Sequence, residues 1–360
     1  MDVTIAEISL TPVKKPLKMP FKTSLQTVEE REAVIVKITE ASGLEGFGEC
    51  VAFSTPWYTE ETVVSCQFVM EQVLIPLLEG RTLGGPEEVQ EIFIRVKGNR
   101  MAKAAIEMAV WDLFAKKQGL PLWKMMGGEE RTIPAGVVVA ADEDQIRHQV
   151  EAAAAKGYRR AKIKINPFTD AELMETIINQ YPELLFFADA NGAFTEATFE
   201  RLLNFDRAGF ALIEQPFGEQ QWHLHARAKK EMKTPICLDE SIGSFEDVER
   251  MIAEQAGDVI VLKMGRLGGW TETLKIVSLC REHSIGMWVG GMIEFGISKA
   301  HNLALGSLLG NTLPGDFSDS QHFWHKDLIE PEICVADGQV ELSEEPGIGY
   351  CVKLGEGEGI

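Results

Sequence analysis

No run of 18 uncharged apolar residues occurs in the 360-residue sequence, which excludes a membrane-spanning helix. The apolar run Ile285–Ile293 stops at Glu294. Basic residues are scarce. Lys and Arg number 35 against 55 Asp and Glu, a net charge of −20 that argues against nucleic acid and anionic membrane surfaces as partners. An anionic substrate would therefore need cations supplied locally by its site. The six cysteines, Cys50, Cys66, Cys237, Cys280, Cys334 and Cys351, include no C-x-x-C pair. They read as reduced thiols of a cytoplasmic protein. The start, Met1-Asp2-Val3-Thr4, has an acidic residue where a secretory signal carries basic ones. Low-complexity linkers are missing too.

What is present changes character along the chain. Residues 1–60 read as strands: Val3–Leu10, then a proline-rich loop, then Arg31–Thr39, then a turn-rich strand at Glu45–Glu49. Residues 61–125 read as helices, clearest over Met101–Gln118. Together, 1–125 form an expected α+β capping domain. From about Thr132 short apolar strands alternate with amphipathic helices. The strands are Ile133–Ala140, Ala161–Ile165, Leu185–Asn191, Ala211–Gln215, Ile236–Ser241, Val259–Met264 and Met287–Gly291. The helices between them include Asp142–Lys156, Thr195–Ala208, Phe245–Glu254 and Thr271–His283. Repeated βα units with buried strands predict a parallel sheet, and seven or eight of them fit a (β/α) barrel over 126–329. The α/β fold class is thus a modified TIM barrel. The tail, 330–360, is expected to pack back on the capping domain.

The strand ends carry the chemistry. Lys164, Asp189, Glu214, Asp239 and Lys263 follow one another at 25, 25, 25 and 24 residues, about one βα unit each. Barrel active sites lie at the C-terminal strand ends, so these side chains line one mouth: three carboxylates between two lysines. Three clustered carboxylates cannot all ionise without a cation. An all-oxygen set without His or Cys suits Mg²⁺ better than zinc. A divalent ion on a substrate carboxylate acidifies the neighbouring carbon, and a lysine can act as its base. Lys162 and Lys164 lie two apart on one strand and point to the same side, where like charges disfavour double protonation.

These residues resemble a known set. Lys162-Ile163-Lys164, Asp189-Ala190-Asn191, Glu214-Gln215-Pro216, Asp239-Glu240-Ser241 and Lys263 are similar to the signature of the muconate-lactonising-type subgroup of the enolase superfamily. Met101–Ala109, Gly290–Ile297, Pro20–Ser24 and Pro56-Trp57-Tyr58 resemble more narrowly the o-succinylbenzoate synthase family, in the branch that includes N-succinylamino acid racemases. The resemblance implies a capped barrel in which Asp189, Glu214 and Asp239 bind one Mg²⁺, with Mn²⁺ as a substitute. It implies Lys164 as the base, Lys263 as the ammonium opposite, and Lys162 as the tuner of Lys164. Asn191, Gly291, Met292 and Ile293 would border the substrate, with Glu240 and Arg266 behind. The implied reaction is syn dehydration of 2-succinyl-6-hydroxy-2,4-cyclohexadiene-1-carboxylate to 2-succinylbenzoate, a step of menaquinone synthesis. Racemisation of N-acylamino acids is the alternative, or both in one site. The partner is a small carboxylate, and an assembly of several copies is compatible with the sequence.

Three positions depart from the family pattern: Val138 for a serine, Lys22 for an arginine, and Met264 for a proline. Other features receive plainer readings. Gly46-Phe47-Gly48 lacks the third glycine of a dinucleotide fingerprint and reads as a turn. His223 and His225 read as surface residues. Gly268-Gly269 reads as a loop approaching the substrate or as a helix start. Met19, Phe21, Trp57 and Tyr58 are candidates for an apolar lid, and Asp316 and Ser318 for an eighth strand end supporting Lys263 or the substrate.

Overall fold

The computed structural model describes residues 2–22, 26–139, 143–309 and 313–354. Thr23, Ser24, Ala140 and Asp142, part of the sequence expectations, lie outside them, as does the Lys22 side chain. The chain opens with a four-stranded antiparallel sheet, β1 (Val3–Lys22), β2 (Thr27–Glu40), β3 (Glu45–Cys50) and β4 (Thr82–Leu83), in the order β3-β2-β1-β4. β1 does not give way to a loop at its prolines. It pairs with β2 as far as Lys22, while β4 meets only Val3 and Thr4. Backbone bonds from Ile5 to Gly80 and Arg81 and the Ile8 N–H bond to Glu79 extend that side a little further. At Pro12 and Pro16 β1 pairs with β2 alone among the described residues, so the missing proline N–H breaks no second ladder. The register shifts between Pro16 and Phe21.

Helix α1 (Arg100–Gln118) packs on this sheet. Most of it is buried, and the residues it turns to β3 include the small, fully covered Ala105 and Ala109. Gly46 and Gly48 are strand residues, not a turn. A Cβ on Gly48 would lie 2.0 Å from the Ala105 carbonyl oxygen, and one on Gly46 2.2 Å from that of Ala109. The glycines thus let β3 approach the helix backbone. Asp112, buried on the same helix, accepts the Phe47 N–H at 2.8 Å and the Ile348 N–H at 2.7 Å, joining sheet, helix and tail. The tail also pairs through Gln339–Glu341 with Thr132–Pro134.

The second unit is a seven-stranded parallel sheet, β5 (Gly136–Val139), β6 (Arg160–Lys164), β7 (Leu185–Asp189), β8 (Leu212–Glu214), β9 (Ile236–Leu238), β10 (Val259–Leu262) and β11 (Gly286–Val289), in sequence order. The two edges approach a common segment. Gly136 N donates to Gly315 O at 2.8 Å, and Asp316 N donates to Val289 O at 2.9 Å. Residues 315–316 therefore bridge β11 and β5, giving a TIM-barrel-like ring whose eighth member is a short link. The helix over Phe245–Glu254 has its expected bounds, with Ser244 as its N-cap. The stretch Thr195–Ala208 instead breaks into a 3₁₀ turn, a short helix over Phe199–Leu203 and another 3₁₀ turn.

His225 corrects the surface reading. It is fully buried on the helix Trp222–Glu231, and its Nε2 accepts the Phe217 N–H at 3.3 Å; His223, two positions earlier, is exposed. All six cysteines are free thiols. Among the described residues no helix is long and apolar enough to cross a membrane.

Candidate active site

Strand register sets the site. Lys164 of β6 lies opposite Asp189 of β7, and Asp189 lies opposite Glu214 of β8. Each is the last residue of its strand, so each emerges at the same level. Asp239 follows β9 directly, and Lys263 follows β10. Residues 24 or 25 apart in sequence thus converge because each βα unit returns the chain to one rim.

The lysines grip the carboxylates. Lys164 Nζ lies 2.6 Å from Asp189 Oδ2 and 2.6 Å from Asn191 Oδ1. Lys263 Nζ lies 2.6 Å from Asp239 Oδ2, whose other oxygen meets Arg266 Nη2 at 2.7 Å. Lys162 is nearly buried and lies within 3.4 Å of Asp189, 3.3 Å of Glu214 and 3.3 Å of Asp316. Burial alone would lower its pKa, but Asp316, Glu214 and Asp189 outweigh burial and push it well above the ordinary lysine value. Lys162 is accordingly a fixed ammonium.

The carboxylates are not alike. Burial would raise the pKa of Asp189, yet Lys164 and Lys162 hold it below the usual range. Asp239 is likewise held down by Lys263 and Arg266 against burial. Glu214 is pushed well up, first by burial and then by the charge of Asp189. Its Oε2 is buried and faces Lys162 at 3.3 Å without a hydrogen bond. Glu240, which accepts Asn191 Nδ2 at 2.9 Å, is also raised, to about 7, by burial and by Asp239.

Among the described residues no three carboxylate, imidazole or thiol groups converge into a ready metal cage. The donor chemistry nonetheless fits a hard cation. The set is all oxygen, its middle member carries an unpartnered buried oxygen, and its charges are balanced at present by side-chain ammonium groups.

One cavity of about 850 Å³, open mouth included, gathers most of the expected residues. Lys162, Lys164, Lys263, Asp189, Asn191, Glu240, Gly291, Met292 and Ile293 all line it. Glu214, Asp239 and Arg266 sit behind the wall, reaching it only through their partners. Ile293 has φ +55°, a left-handed conformation costly for a β-branched residue and concentrated at functional sites. Val138 makes an apolar wall where the family pattern has a serine, and Met264 is buried away from the cavity.

The capping domain contributes Phe21, Phe53, Trp57 and Tyr58 to the cavity. Met19 does not join them; it is 71% exposed. Tyr58 does more than cover. Its hydroxyl accepts Lys263 Nζ and Arg266 Nη1, each at 2.6 Å, and donates to Asp239 Oδ2 at 3.2 Å. Burial raises its pKa well above 10, so the phenol keeps its proton. Nothing in the sequence pairs Tyr58 with a residue 205 positions away.

Of the two roles expected for Asp316, support of Lys263 is not what the structure shows, while the residue does line the cavity. It meets Lys162, and its Oδ1 takes Arg160 Nη2 at 2.6 Å, with Arg160 wholly buried between the Phe187 and Trp288 rings. Gly268-Gly269 starts the helix at Trp270, and a Cβ on Gly269 would strike Glu107 of α1 at 1.7 Å.

Comparison with known proteins adds a decisive observation. Residues 5–127 match the mandelate racemase / muconate lactonizing enzyme N-terminal domain, and residues 145–355 match the enolase C-terminal domain-like family. The chain belongs to the enolase superfamily. It is 43% identical to an o-succinylbenzoate synthase of Bacillus subtilis, over 98% of this chain and 95% of that protein. An N-succinylamino acid racemase of Thermus thermophilus is 38% identical, over 98% and 96%. A crystal structure of an enolase superfamily member from Listeria innocua superposes with a TM-score of 0.93 at 37% identity, covering 97% of this chain and 95% of that one. The chain is thus an enzyme of this superfamily, close to a lyase, and enzymes of the superfamily are metal-dependent.

Proposed function

We propose that the protein is an o-succinylbenzoate synthase, dehydrating 2-succinyl-6-hydroxy-2,4-cyclohexadiene-1-carboxylate to 2-succinylbenzoate in menaquinone synthesis. The observation that carries the reading is the pair Lys164 and Lys263 lining one cavity, each gripping a different carboxylate of the same rim. The identity to curated o-succinylbenzoate synthases supports it. A cytoplasmic setting belongs to the same reading.

Asp189, Glu214 and Asp239 would hold Mg²⁺, or Mn²⁺ in its stead. When bound, the ion supplies Lewis-acid stabilisation to a substrate carboxylate. The chain's own residues do the rest. Lys164 Nζ takes the proton from the carbon bearing the carboxylate. The C–H electrons form the new ring double bond as the C–O bond to the hydroxyl breaks. Lys164 returns the proton to the departing hydroxide, which leaves as water. Lys263 stays an ammonium beside the developing negative charge, and Tyr58 and Arg266 keep it there. Lys162, pinned by three carboxylates, keeps a fixed charge two residues from the base.

Racemisation of N-succinylamino acids is the second reading, favoured by the lysine on each flank of the cavity and by the Thermus relative. It requires Lys263 to exchange a proton. Arginine keeps the charge but cannot be deprotonated. Lys263→Arg is therefore expected to harm racemisation more than dehydration. The test is kcat/KM for both reactions in wild type and variant with Mg²⁺. Equal losses would contradict the division of roles, and no dehydration by the wild type would contradict the functional reading.

A further inference from the structure

We propose that Lys299 binds a second carboxylate of the substrate, at the far end of its acyl arm. This rests on the reading of the cavity as a succinylbenzoate-type site and names what recognises the succinyl end.

Lys299 lies on the helix Gly296–Leu309, is 1% exposed, and lines the same cavity as the strand-end lysines. Its charge is balanced differently from theirs. Lys162, Lys164 and Lys263 each meet a carboxylate within 3.4 Å. Among the described residues Lys299 meets none. Among the described residues its one side-chain hydrogen bond is from Nζ to the Ser318 carbonyl oxygen at 3.1 Å, and the Phe323 ring lies 5.7 Å away. A buried ammonium satisfied by one neutral carbonyl is costly, because water is withdrawn and no opposite charge replaces it. It has donors to spare. An anion arriving through the cavity would offset that cost.

The surroundings specify the anion's chemistry. Ser318, His322 and Phe323 line the cavity with Lys299. The His322 imidazole, exposed beside the Phe323 ring, offers a further N–H donor at this corner. Much of the remaining wall is apolar, including Phe21, Phe53, Trp57, Val138, Met292 and Ile293. A cationic corner, and a rim whose carboxylates would hold a divalent cation, in one largely apolar cavity fit a dicarboxylate whose two charges are separated by a carbon chain. The carboxylate at the reacting carbon belongs to the rim. The distal one belongs to Lys299.

The test is binding of two ligands to the purified protein with Mg²⁺. One is 2-succinylbenzoate. The other is 2-butanoylbenzoate, in which a methyl group replaces the distal carboxylate. Wild type is expected to prefer the succinyl compound by about 10- to 100-fold, the size of a charge-assisted hydrogen bond. Lys299→Met is expected to bind the two within about threefold, and Lys299→Arg to keep most of the preference. Equal binding by wild type would overturn the proposal whether or not any variant folds, as would a preference retained in Lys299→Met. If wild type binds neither ligand and forms no 2-succinylbenzoate, the functional reading falls, and this subsite with it.

Discussion

Lys263 Nζ lies 2.6 Å from the hydroxyl of Tyr58, so a capping-domain phenol and a barrel ammonium form one hydrogen-bonded unit. The same oxygen takes Arg266 Nη1, and the phenol O–H points to Asp239. The capping domain and the barrel are thus joined at the cavity wall.

Tyr58→Phe removes that oxygen and keeps the ring against Phe53 and Trp57. Buried donors on Lys263 and Arg266 would lose a partner, a change worth about 1–3 kcal/mol. The expected outcome is a 10- to 100-fold fall in kcat with KM changed less and the melting temperature nearly kept. Steady-state kinetics check it. Unchanged kcat would show that Tyr58 does not position Lys263.

Chelation should abolish turnover, and Mg²⁺ or Mn²⁺ should restore it, because Glu214 carries a buried unpartnered oxygen among three carboxylates. Glu214→Gln should weaken the metal requirement's midpoint by at least tenfold, since it replaces an anionic oxygen donor by a neutral amide among the three expected ligands. Activity titrated against free Mg²⁺ in both proteins measures this. Full turnover in excess chelator, with metal content verified as negligible, contradicts it.

A second expectation concerns acid. His301 is buried, accepts Trp270 Nε1 on Nδ1 at 3.0 Å, and so donates its Nε2–H to the Phe47 carbonyl at 3.0 Å. Burial lowers its pKa to about 4, below the ordinary 6.5. The folded state therefore binds this proton less readily than the unfolded chain. Its stabilising contribution is complete above about pH 6.5 and is lost as pH falls toward 4, roughly 3 kcal/mol in all. His225 shifts the same way for the same reason. His301→Gln should make the slope of unfolding free energy against pH shallower by about 1.4 kcal/mol per unit between pH 4.5 and 6. Urea titrations at several pH values measure that slope, and an unaltered one would refute the assignment.

Gly48→Ala would press a methyl group against the Ala105 carbonyl at 2.0 Å, where backbone must move. A loss of about 1–3 kcal/mol is expected. A variant as stable as wild type in denaturant would show that the strand and helix can separate freely.

Much of this was legible in the sequence for a definite reason. Lys164, Asp189, Glu214, Asp239 and Lys263 each stand at or just past the end of a strand, and a barrel converts equal spacing into common depth. Features that depend on distant partners were not. Gly46 and Gly48 look like turn residues until the Ala105 and Ala109 backbone lies beside them. His225 looks like a polar surface residue because its helix carries Arg227, Lys229, Lys230 and Glu231, yet its face turns inward. Asp316 sits on a link too short to read as a strand, so its side of the ring, toward Lys162, could not be assigned. The prolines of β1 look like loop markers because sequence does not say which edge is free.

The central measurement is conversion of 2-succinyl-6-hydroxy-2,4-cyclohexadiene-1-carboxylate by wild type and Lys164→Ala, each with saturating Mg²⁺. Wild type should release 2-succinylbenzoate with many turnovers. Lys164→Ala should lose at least 10²- to 10⁴-fold, the usual worth of a general base, while still binding 2-succinylbenzoate. No product from wild type, or near-normal turnover by the variant, would contradict the assignment of Lys164 as the base of a dehydratase.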